Sequence, residues 1–460
     1  MMWEVWRYFS YGWIASYWIE PEFNFTYAGF RWVEPWPGDG MYYHMIGLAI
    51  LACLIMVGFL YRIATVLFFL GFSYVFLLEK AQYLNHFYFI ILIAFLLIFI
   101  PAHRAFSVDA YLWPKLRSQL IPAWSVWTLR AQLGIVYFFG GVAKLNADWL
   151  RGEPMRLWLG DLYDFPLIGP HVEKEWFVYG MSYGGLLFDL LVVPLLLWKR
   201  TRVAAFLAAA FFHIMNSWIF HIGIFPWFSL AATTIFLVPD WPRRAAAWAV
   251  EDREAKEAKA AEEPAAEQAA AEATAAYAPP AWEKPVLVLL AVHFAVQLFL
   301  PFRHWFYPGN VNWTEEGHRF AWHMKLRSKD AIARFIARDP ATGDLFEVDA
   351  AERLNYRQIR KMAGRPDMIL EFARYIASEM EANGIPNAEV RVRAAASLNG
   401  RQPQVFIDPN VNLTEVKWGL APSKWVLPLH EPLHGKPPEG DGEPGSGEKP
   451  VKGRAAGAGS

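Results

Sequence analysis

The sequence has almost no cysteine, and its single thiol, Cys53, lies inside an apolar run. One cysteine can form neither an intrachain disulfide nor a cysteine-type zinc site. An excess of either charge is also missing, because 43 Lys and Arg residues stand against 44 Asp and Glu residues. The charge balance therefore gives no reason to expect a nucleic-acid partner. The first residues, MMWEVWRYFSYGW, lack the basic flank and cleavage site of a signal peptide, so we expect internal segments to direct membrane insertion.

Apolar and aromatic residues are unusually abundant. The chain of 460 residues is 55% hydrophobic and 17% aromatic, which is too apolar for an ordinary soluble protein of this length. A spanning helix needs about 20 apolar residues. By this measure about eight segments can span or enter a bilayer, at 43–61, 63–78, 86–100, 125–143, 177–198, 203–218, 219–238 and 285–302.

These segments predict a mainly α protein, a polytopic transmembrane helix bundle with a C-terminal α+β soluble domain. Basic residues such as Arg62, Arg104 and Arg200 recur in alternate connections, and the positive-inside rule makes those connections cytoplasmic. Segment 86–100 is short and is closed by Pro101. If it enters the membrane without crossing it, all later connections would lie on the opposite side from the one predicted here. The predicted parts are an extracytoplasmic segment 1–42, a bundle 43–244, a cytoplasmic Ala/Glu-rich linker 245–283, a last transmembrane helix 284–302, an extracytoplasmic soluble domain 303–434 and a disordered tail 435–460.

The stretch GGVAKLNADW puts a lysine, Lys144, where a membrane helix should be ending. Helical spacing places four residues on the face of Lys144, namely Tyr137, Gly140, Gly141 and Asp148. A helical side chain leans toward the N-terminus, so the lysine stem would lie over the turn with the two glycines. The space beside them could admit either the backbone of a neighbouring helix or a flat ring stacked beside the amine.

The Lys144 amine has two interpretations. A lysine near a helix end usually extends to the headgroup region or pairs with a nearby carboxylate, here Asp148. The alternative is a lysine held neutral by burial, since desolvation disfavours the ammonium form. A neutral amine in an apolar pocket would act as a general base.

His213 and Asn216 form a second polar pair, in AFFHIMNSW, and their spacing of three puts them on one helix face. Polar side chains that point into a bundle need partners there. A hydrogen bond to a neighbouring helix is the simplest interpretation of each. No pair of histidines has further metal-ligand residues close in sequence, so we predict no metal site.

The segment FFGGVAKLNADWLRGEPM resembles the signature of the vitamin K-dependent gamma-glutamyl carboxylase family, whose animal members read A-G-V-K-K-L-D-A-D-W there. The likeness continues through FLLEKAQYLNH, PAHRAFSVDAYL, FFHIMNSWIFHIGIF, VPDWPRR, VQLFLPFRHWFYPGNVNWTEEGHRFAWHMKLRS and VFIDPNVN. It covers nearly all of 40–430. The N-terminal GWIASYWIEPEFNFTYAGFRWVEPWP is similar to the bacterial branch, so the chain looks like a bacterial homologue of the horizontally transferred transmembrane domain type, in the bacterial inner membrane.

The resemblance implies a reaction. A base deprotonates reduced vitamin K, whose anion reacts with O2, and the strong base so formed removes a γ-proton from a protein glutamate. The carbanion captures CO2 to give γ-carboxyglutamate, and the vitamin leaves as its epoxide. The resemblance assigns the base to Lys144, support of the reactive oxygen species to His103, and glutamate binding to the segment with Trp313 and Trp322. The expected partners are a glutamate-containing protein or peptide and membrane lipid.

Several positions depart from the family pattern. Ala143 replaces the first lysine of the family's pair, which removes a charge that would favour a neutral amine at Lys144. Ala102 replaces the asparagine beside the family's histidine. The glutamate-site segment is NWTEEGHRFAW at 312–322, which implies a different peptide specificity. The disulfide of the animal enzymes cannot form, and a hydrophobic helix that precedes WEVWRYF in bacterial relatives is expected to be missing.

The topology and the resemblance conflict at one point. If both segments span the membrane, parity puts His103 and Lys144 at opposite ends, about 25–30 Å apart. Either the segment closed by Pro101 bends inside the protein or one of the two assignments fails. Two other functions stay open, a family member that binds or epoxidises a quinone without peptide carboxylation, and a non-enzymatic membrane protein that binds lipid or a partner.

Overall fold

The computed structural model describes residues 1–118, 120–166, 168–220, 222–239, 241–242, 279–417 and 419–433. The chain forms a bundle of apolar helices followed by a small domain with an antiparallel sheet, which confirms the predicted fold class. The tail 435–460, and the predicted linker up to residue 278, lie outside the described residues.

The bundle contains helices of very different length. In chain order the helices are α1 Met2–Ser10, α2 Gly40–Val57, α3 Tyr61–Leu78, α4 Asn85–Phe99, α5 Val108–Leu112, α6 Ala123–Ala143, α7 Ala147–Leu150, α8 Met155–Gly160, α9 Glu175–Leu197, α10 Arg202–Ile219, α11 Phe225–Thr233 and α12 Glu283–Phe302. Within the described ranges, six are long and apolar enough to cross a membrane, namely α2, α3, α6, α9, α10 and α12. The predicted segments 86–100 and 219–238 form the shorter apolar helices α4 and α11, the latter extended by a 3-10 turn to Phe236.

Burial distinguishes the centre of the bundle from its rim. Half of α6 is buried inside the protein, whereas only 17% of α2 and of α12 is buried. An apolar helix that packs so little against protein needs another apolar surface, and the bilayer core supplies it. Helix α6, which carries Lys144 at its end, is therefore the central helix.

The soluble domain contains four antiparallel strands in the order β2-β1-β3-β4. Its elements are α13 Val311–Thr314, β1 Lys329–Arg338, β2 Leu345–Val348, α14 Tyr356–Ala363, α15 Pro366–Ala382, β3 Glu389–Leu398 and β4 Gln404–Val405. Phe335 of β1 pairs with Val392 of β3, and both are buried against Phe372 of α15. Alternation along the strands and the apolar face of α15 thus build one core.

Helix α14 rests on the end of a membrane helix. It begins with a capping box between Asn355 and Gln358. The Gln358 amide also donates to the carboxylate of Glu79, 2.7 Å away, directly after α3. The N-terminal segment joins the same contact, because the Asn355 amide donates to the carbonyl of Ser16. The soluble domain and part of segment 1–42 therefore lie at the same end of the bundle.

Candidate active site

Lys144 lies directly after the last turn of α6 and is only 7% exposed. Its side chain points back over that turn, as the lean of helical side chains predicts. The ammonium Nζ donates to the carbonyl oxygen of Gly140 at 3.1 Å and to Oδ2 of Asp189 at 2.5 Å. The amine is therefore buried in the protein, and the interpretation in which it extends to the headgroups is wrong.

Asp189 is the partner that the sequence analysis missed. It lies in the interior of α9, and its carboxylate is as buried as the amine it binds. The available signal was a lone carboxylate in the apolar run YGGLLFDLLVV, since an ionisable residue inside a membrane helix generally faces a partner or a functional site. Its identity as the partner of Lys144 could not be predicted, because the two residues are 45 positions apart.

Gly140 and Gly141 allow α9 to approach α6 closely. A Cβ on Gly141 would lie 2.7 Å from Cδ2 of Leu190 and 3.1 Å from its backbone nitrogen. A Cβ on Gly140 would lie 3.2 Å from both Oδ2 of Asp189 and the terminal methyl of Met324. Of the two predicted occupants of this space, the neighbouring helix is the one observed.

A strained segment of the soluble domain covers this end of the bundle. Phe320, Trp322 and Lys325 all have positive φ, which bulky side chains rarely adopt. Trp322 is fully buried and stacks on Tyr88 of α4 with ring centroids 5.2 Å apart. Such strain persists only where the surroundings fix the backbone, and it concentrates at functional sites.

Two buried nitrogens on this segment lack hydrogen-bond partners among the described residues, the indole Nε1 of Trp322 and Nδ1 of His323. Burial, with the positive charges of neighbours that include Lys144, lowers the pKa of His323 to about 3. The imidazole is therefore neutral at physiological pH. The ring of Trp149, on the other side, lies 5.4 Å from the Lys144 amine. The amine thus lies near one aromatic ring, and its charge acts on the neutral imidazole of His323.

Tyr137 and His213, two predicted site residues, meet in one buried network. The Tyr137 hydroxyl lies 2.7 Å from Nε2 of His213 on α10 and 3.1 Å from Oγ1 of Thr233 on α11. This hydrogen bond between helices is the simple interpretation that the sequence suggested for His213. Asn216 is half-buried one turn further along α10 and has no side-chain hydrogen bond within the described ranges.

Asp148 does not pair with Lys144, contrary to the ion pair considered from helical spacing. Helix α6 ends before Lys144, so the helical register does not continue to Asp148, which belongs to the separate helix α7. Its two oxygens accept hydrogen bonds of 2.7 Å from both terminal nitrogens of Arg401, and Asn399 adds a third bond of 2.8 Å. Asp148 therefore joins the bundle to the soluble domain.

Trp313 and Trp322 lie in different cores. Trp313 packs edge-on against Phe406 inside the soluble domain, and its indole N–H donates to the carbonyl of Leu427 at 2.7 Å. Trp322 belongs to the buried cluster of the bundle that contains Tyr137. Only Trp322 therefore lies on the same side of the interface as Lys144.

His103 lies at the opposite end of the bundle from Lys144. It follows α4, and the neighbouring Ile100 packs in one cluster with Trp124, at the start of α6. Its ring stacks on Tyr61 at 5.0 Å. Since α6 is 21 residues long and rises about 1.5 Å per residue, about 30 Å separate the two ends. The structure does not bring His103 and Lys144 together.

Within the described ranges, no group of three or more His, Cys, Asp or Glu side chains is arranged to hold a metal ion. The buried chemistry at the end of α6 consists of an amine, a carboxylate and aromatic rings. This set suits proton transfer to or from an organic molecule.

Two family models match the chain. Residues 1–241 match the HTTM domain. Residues 282–432 match the lumenal domain of vitamin K-dependent gamma-carboxylase. No solved structure matches the chain. The two matches cover the helix bundle and the sheet domain in the order in which the structure contains them, and the chain therefore belongs to the vitamin K-dependent gamma-glutamyl carboxylase family.

Proposed function

We propose that the protein is an integral-membrane carboxylase that couples oxidation of reduced vitamin K by O2 to carboxylation of protein glutamate with CO2. The observation that carries the proposal is the buried pair of Lys144 and Asp189, whose atoms are 2.5 Å apart beneath the soluble domain. A buried ion pair is expensive to desolvate and contributes little net stability, so its presence in an apolar bundle favours a functional role.

The residues around the pair fit a hydroquinone. Its rings need aromatic or apolar walls. Trp149 and Met324 supply such surfaces beside the pair, and Met324 packs against the cluster that contains Trp322. Its oxygens need hydrogen-bonding groups, and the unpaired Nε1 of Trp322 and Nδ1 of His323 are of that kind. When bound, reduced vitamin K supplies the electrons that activate O2. The side chains of this protein bind the molecule and transfer its proton.

We assign the first proton transfer to Lys144 and Asp189 acting together. The lysine donates a hydrogen bond to Asp189 across 2.5 Å, so a proton that arrives at the lysine nitrogen can be balanced by transfer of another from that nitrogen to the Asp189 carboxylate. The pair gains one proton in total and loses its ion-pair character. Asp189 also fixes the direction of the amine, because its carboxylate and the Gly140 carbonyl each accept one N–H bond.

The resemblance assigns support of the reactive oxygen species to His103, but the position of His103 in the bundle argues against that role. A histidine about 30 Å from the base along α6 cannot contact the same ring. We therefore make no step of the mechanism depend on His103.

We further propose that the soluble domain is extracytoplasmic, in a bacterial inner membrane, and receives the glutamate-containing substrate. Basic residues support this orientation, because Arg62 lies at the start of α3, the end away from Glu79 and the soluble domain. The segment 318–326 supports the substrate role, since it connects the soluble domain to the surroundings of Lys144.

The test incubates purified protein with reduced vitamin K, labelled bicarbonate and a panel of glutamate peptides, and measures both label and epoxide. We expect both products from the wild type and neither from Lys144→Ala. The matched control is Lys80→Ala, because Lys80 is another buried lysine, paired with Asp367 and Glu371 away from α6. Equal products from wild type and Lys144→Ala would refute the assignment of the base.

The second candidate is a quinone-epoxidising member of the family without peptide carboxylation. One observation favours it. Glu315, which departs from the family pattern, has a side chain that is only 5% exposed and contacts Arg327. It thus places an internal carboxylate in the segment expected to bind glutamate. Epoxide without peptide label across the panel would support this candidate.

A further inference from the structure

The soluble domain contains a buried cluster of positive charges close to α14. Three cationic groups surround the single carboxylate of Glu315. Arg327 contacts it directly, Lys329 Nζ lies 3.6 Å from Oε1, and Arg365 Nε lies 4.0 Å from Oε2. The side chains of Lys329 and Glu315 are 4% and 5% exposed, and that of Arg365 is 11% exposed. One carboxylate thus faces three cations in a place that water barely reaches.

Lys361 adds a fourth positive charge next to this cluster. It lies on α14, is half-buried, and makes no hydrogen bond or ion pair with the described residues. Burial, together with the positive charges of Arg365, Arg357, Arg360 and Arg327, lowers its pKa from the ordinary 10.5 to about 7. Uncompensated charge of one sign is costly to bury, so the cluster calls for an anion.

The hydrogen-bonding pattern points the same way. Five guanidinium nitrogens are buried without a partner among the described residues. Two belong to Arg319, and the other three are Nε of Arg327, Nη1 of Arg365 and Nε of Arg357. Buried donors are nearly always satisfied in folded proteins. Arginine forks and lysine ammonium groups are the donors that bind phosphate and carboxylate oxygens.

The cluster also lies close to the membrane surface. Gln358, on the same helix as Lys361, binds Glu79 directly after the spanning helix α3. Arg360 on α14 is exposed and marks a side that is open to solvent. At the same end, Arg357 lies over the ring of Tyr17, 5.5 Å away, in the N-terminal segment.

We propose that Arg327, Lys329, Lys361 and Arg365 form an anion site that binds a phosphate group, either as free phosphate or as the headgroup of a membrane phospholipid. A carboxylate carries one charge and two oxygens, whereas this cluster has an excess of more than one positive charge and three unsatisfied donors. A phosphate supplies the additional charge and the third oxygen. The site is separate from the proposed carboxylation chemistry, which needs neither Lys361 nor Arg365.

The experiment measures thermal unfolding of the full-length protein in phosphate-free detergent. Inorganic phosphate is compared with acetate and with chloride, each added at the same ionic strength. We expect a saturable rise in Tm with phosphate only, and a loss of about ten-fold in apparent phosphate affinity in Lys361→Gln, since one charge-assisted hydrogen bond has about that effect. Arg365→Gln is a second test variant. Arg360→Gln is the matched control, because it removes an exposed charge from the same helix.

The unfolding temperature of Lys361→Gln without phosphate is an independent test. It removes an unpaired charge from a repulsive cluster, so without phosphate it should unfold at a higher temperature than the wild type. Native mass spectrometry distinguishes the two phosphate sources, because phospholipid retained by the wild type and lost from Lys361→Gln identifies the headgroup. The proposal is overturned if neither phosphate nor added phosphatidylglycerol raises Tm, if acetate is as effective, or if Arg360→Gln and Lys361→Gln weaken the effect equally.

Discussion

Arg401 donates two parallel hydrogen bonds of 2.7 Å to the carboxylate of Asp148. The arginine belongs to the turn between β3 and β4, and the aspartate to α7, four residues after Lys144. Both side chains are less than a tenth exposed. The soluble domain is therefore fixed directly to the loop that follows the proposed base.

Removing one member of this pair should destabilise the contact between the domain and the bundle. We expect Asp148→Asn or Arg401→Met to lose about 3–5 kcal/mol, because each leaves an uncompensated buried charge or donor. Thermal unfolding and limited proteolysis of the soluble domain would measure the loss. The double variant should lose less than the sum of the two single variants, and additive losses would contradict the direct coupling.

Close packing of α6 on α9 should make Gly141 intolerant of any side chain. A Cβ there would overlap Leu190, so we expect Gly141→Ala to cost about 1–3 kcal/mol through overpacking and to separate Lys144 from Asp189. Gly134→Ala on the same helix is the control, since its Cβ would make an ordinary 3.5 Å contact with Val193. The measurement is the melting temperature of each variant, and that of Gly141→Ala should be the lower. Equal melting temperatures would show that the two helices can move apart at no cost in stability.

The sequence predicts where helices and strands lie better than it predicts which residues contact each other. The apolar runs located the spanning helices to within a few residues, and the alternating stretch AEVRVRAAASL forms β3. Such patterns are local. QPQVFIDP, in contrast, gives only the two-residue strand β4, because its pairing depends on β3 rather than on its own alternation.

The candidate site shows why the rest could not be predicted. Asp148 was suggested as the partner of Lys144 because helical spacing was applied as if the helix continued past Lys144. The helix ends before Lys144, and the observed partner, Asp189, belongs to a different helix. Distant pairings of this kind are fixed by tertiary packing, which one sequence does not encode locally. The same holds for Arg401, which reaches Asp148 across 253 residues.

The stability of the protein should respond to pH through Lys329. Burial lowers its pKa from the ordinary 10.5 to about 7, with Glu315 acting in the opposite direction. The unfolded chain therefore binds more protons than the folded chain between about pH 7 and 10.5, and this group makes stability rise with pH across that range.

Lys329→Met should remove this contribution. From pH 7 to pH 10, we expect the Tm of the wild type to rise steadily relative to the Tm of the variant. The variant also loses two hydrogen bonds to backbone carbonyls, which adds a constant offset but no slope. Lys417→Met, at an exposed position, is the control, and a slope equal to that of the control would contradict the assignment.

His103 offers a test of the distance between the two ends of the bundle. His103→Phe preserves a ring that can stack on Tyr61. Because the helix α6 separates this position from Lys144, we expect epoxide formation to remain within about three-fold of the wild type, well below the effect of removing a general acid or base. A loss of a hundred-fold or more, in protein with an unchanged Tm, would instead mean that the two ends approach each other during turnover.

Arginine at position 144 separates the structural role of the positive charge from its role as a base. Lys144→Arg keeps a cation beside Asp189, but a guanidinium does not release its proton in proteins. We expect Lys144→Arg to unfold near the wild-type temperature, whereas Lys144→Met should lose about 3–5 kcal/mol because it leaves the Asp189 carboxylate unpaired. Both variants should lose epoxide formation by about 10²–10⁴-fold if the amine transfers the first proton. Epoxide formation by Lys144→Arg above a tenth of the wild-type rate would mean that the positive charge, and not proton transfer by the amine, is what the reaction requires.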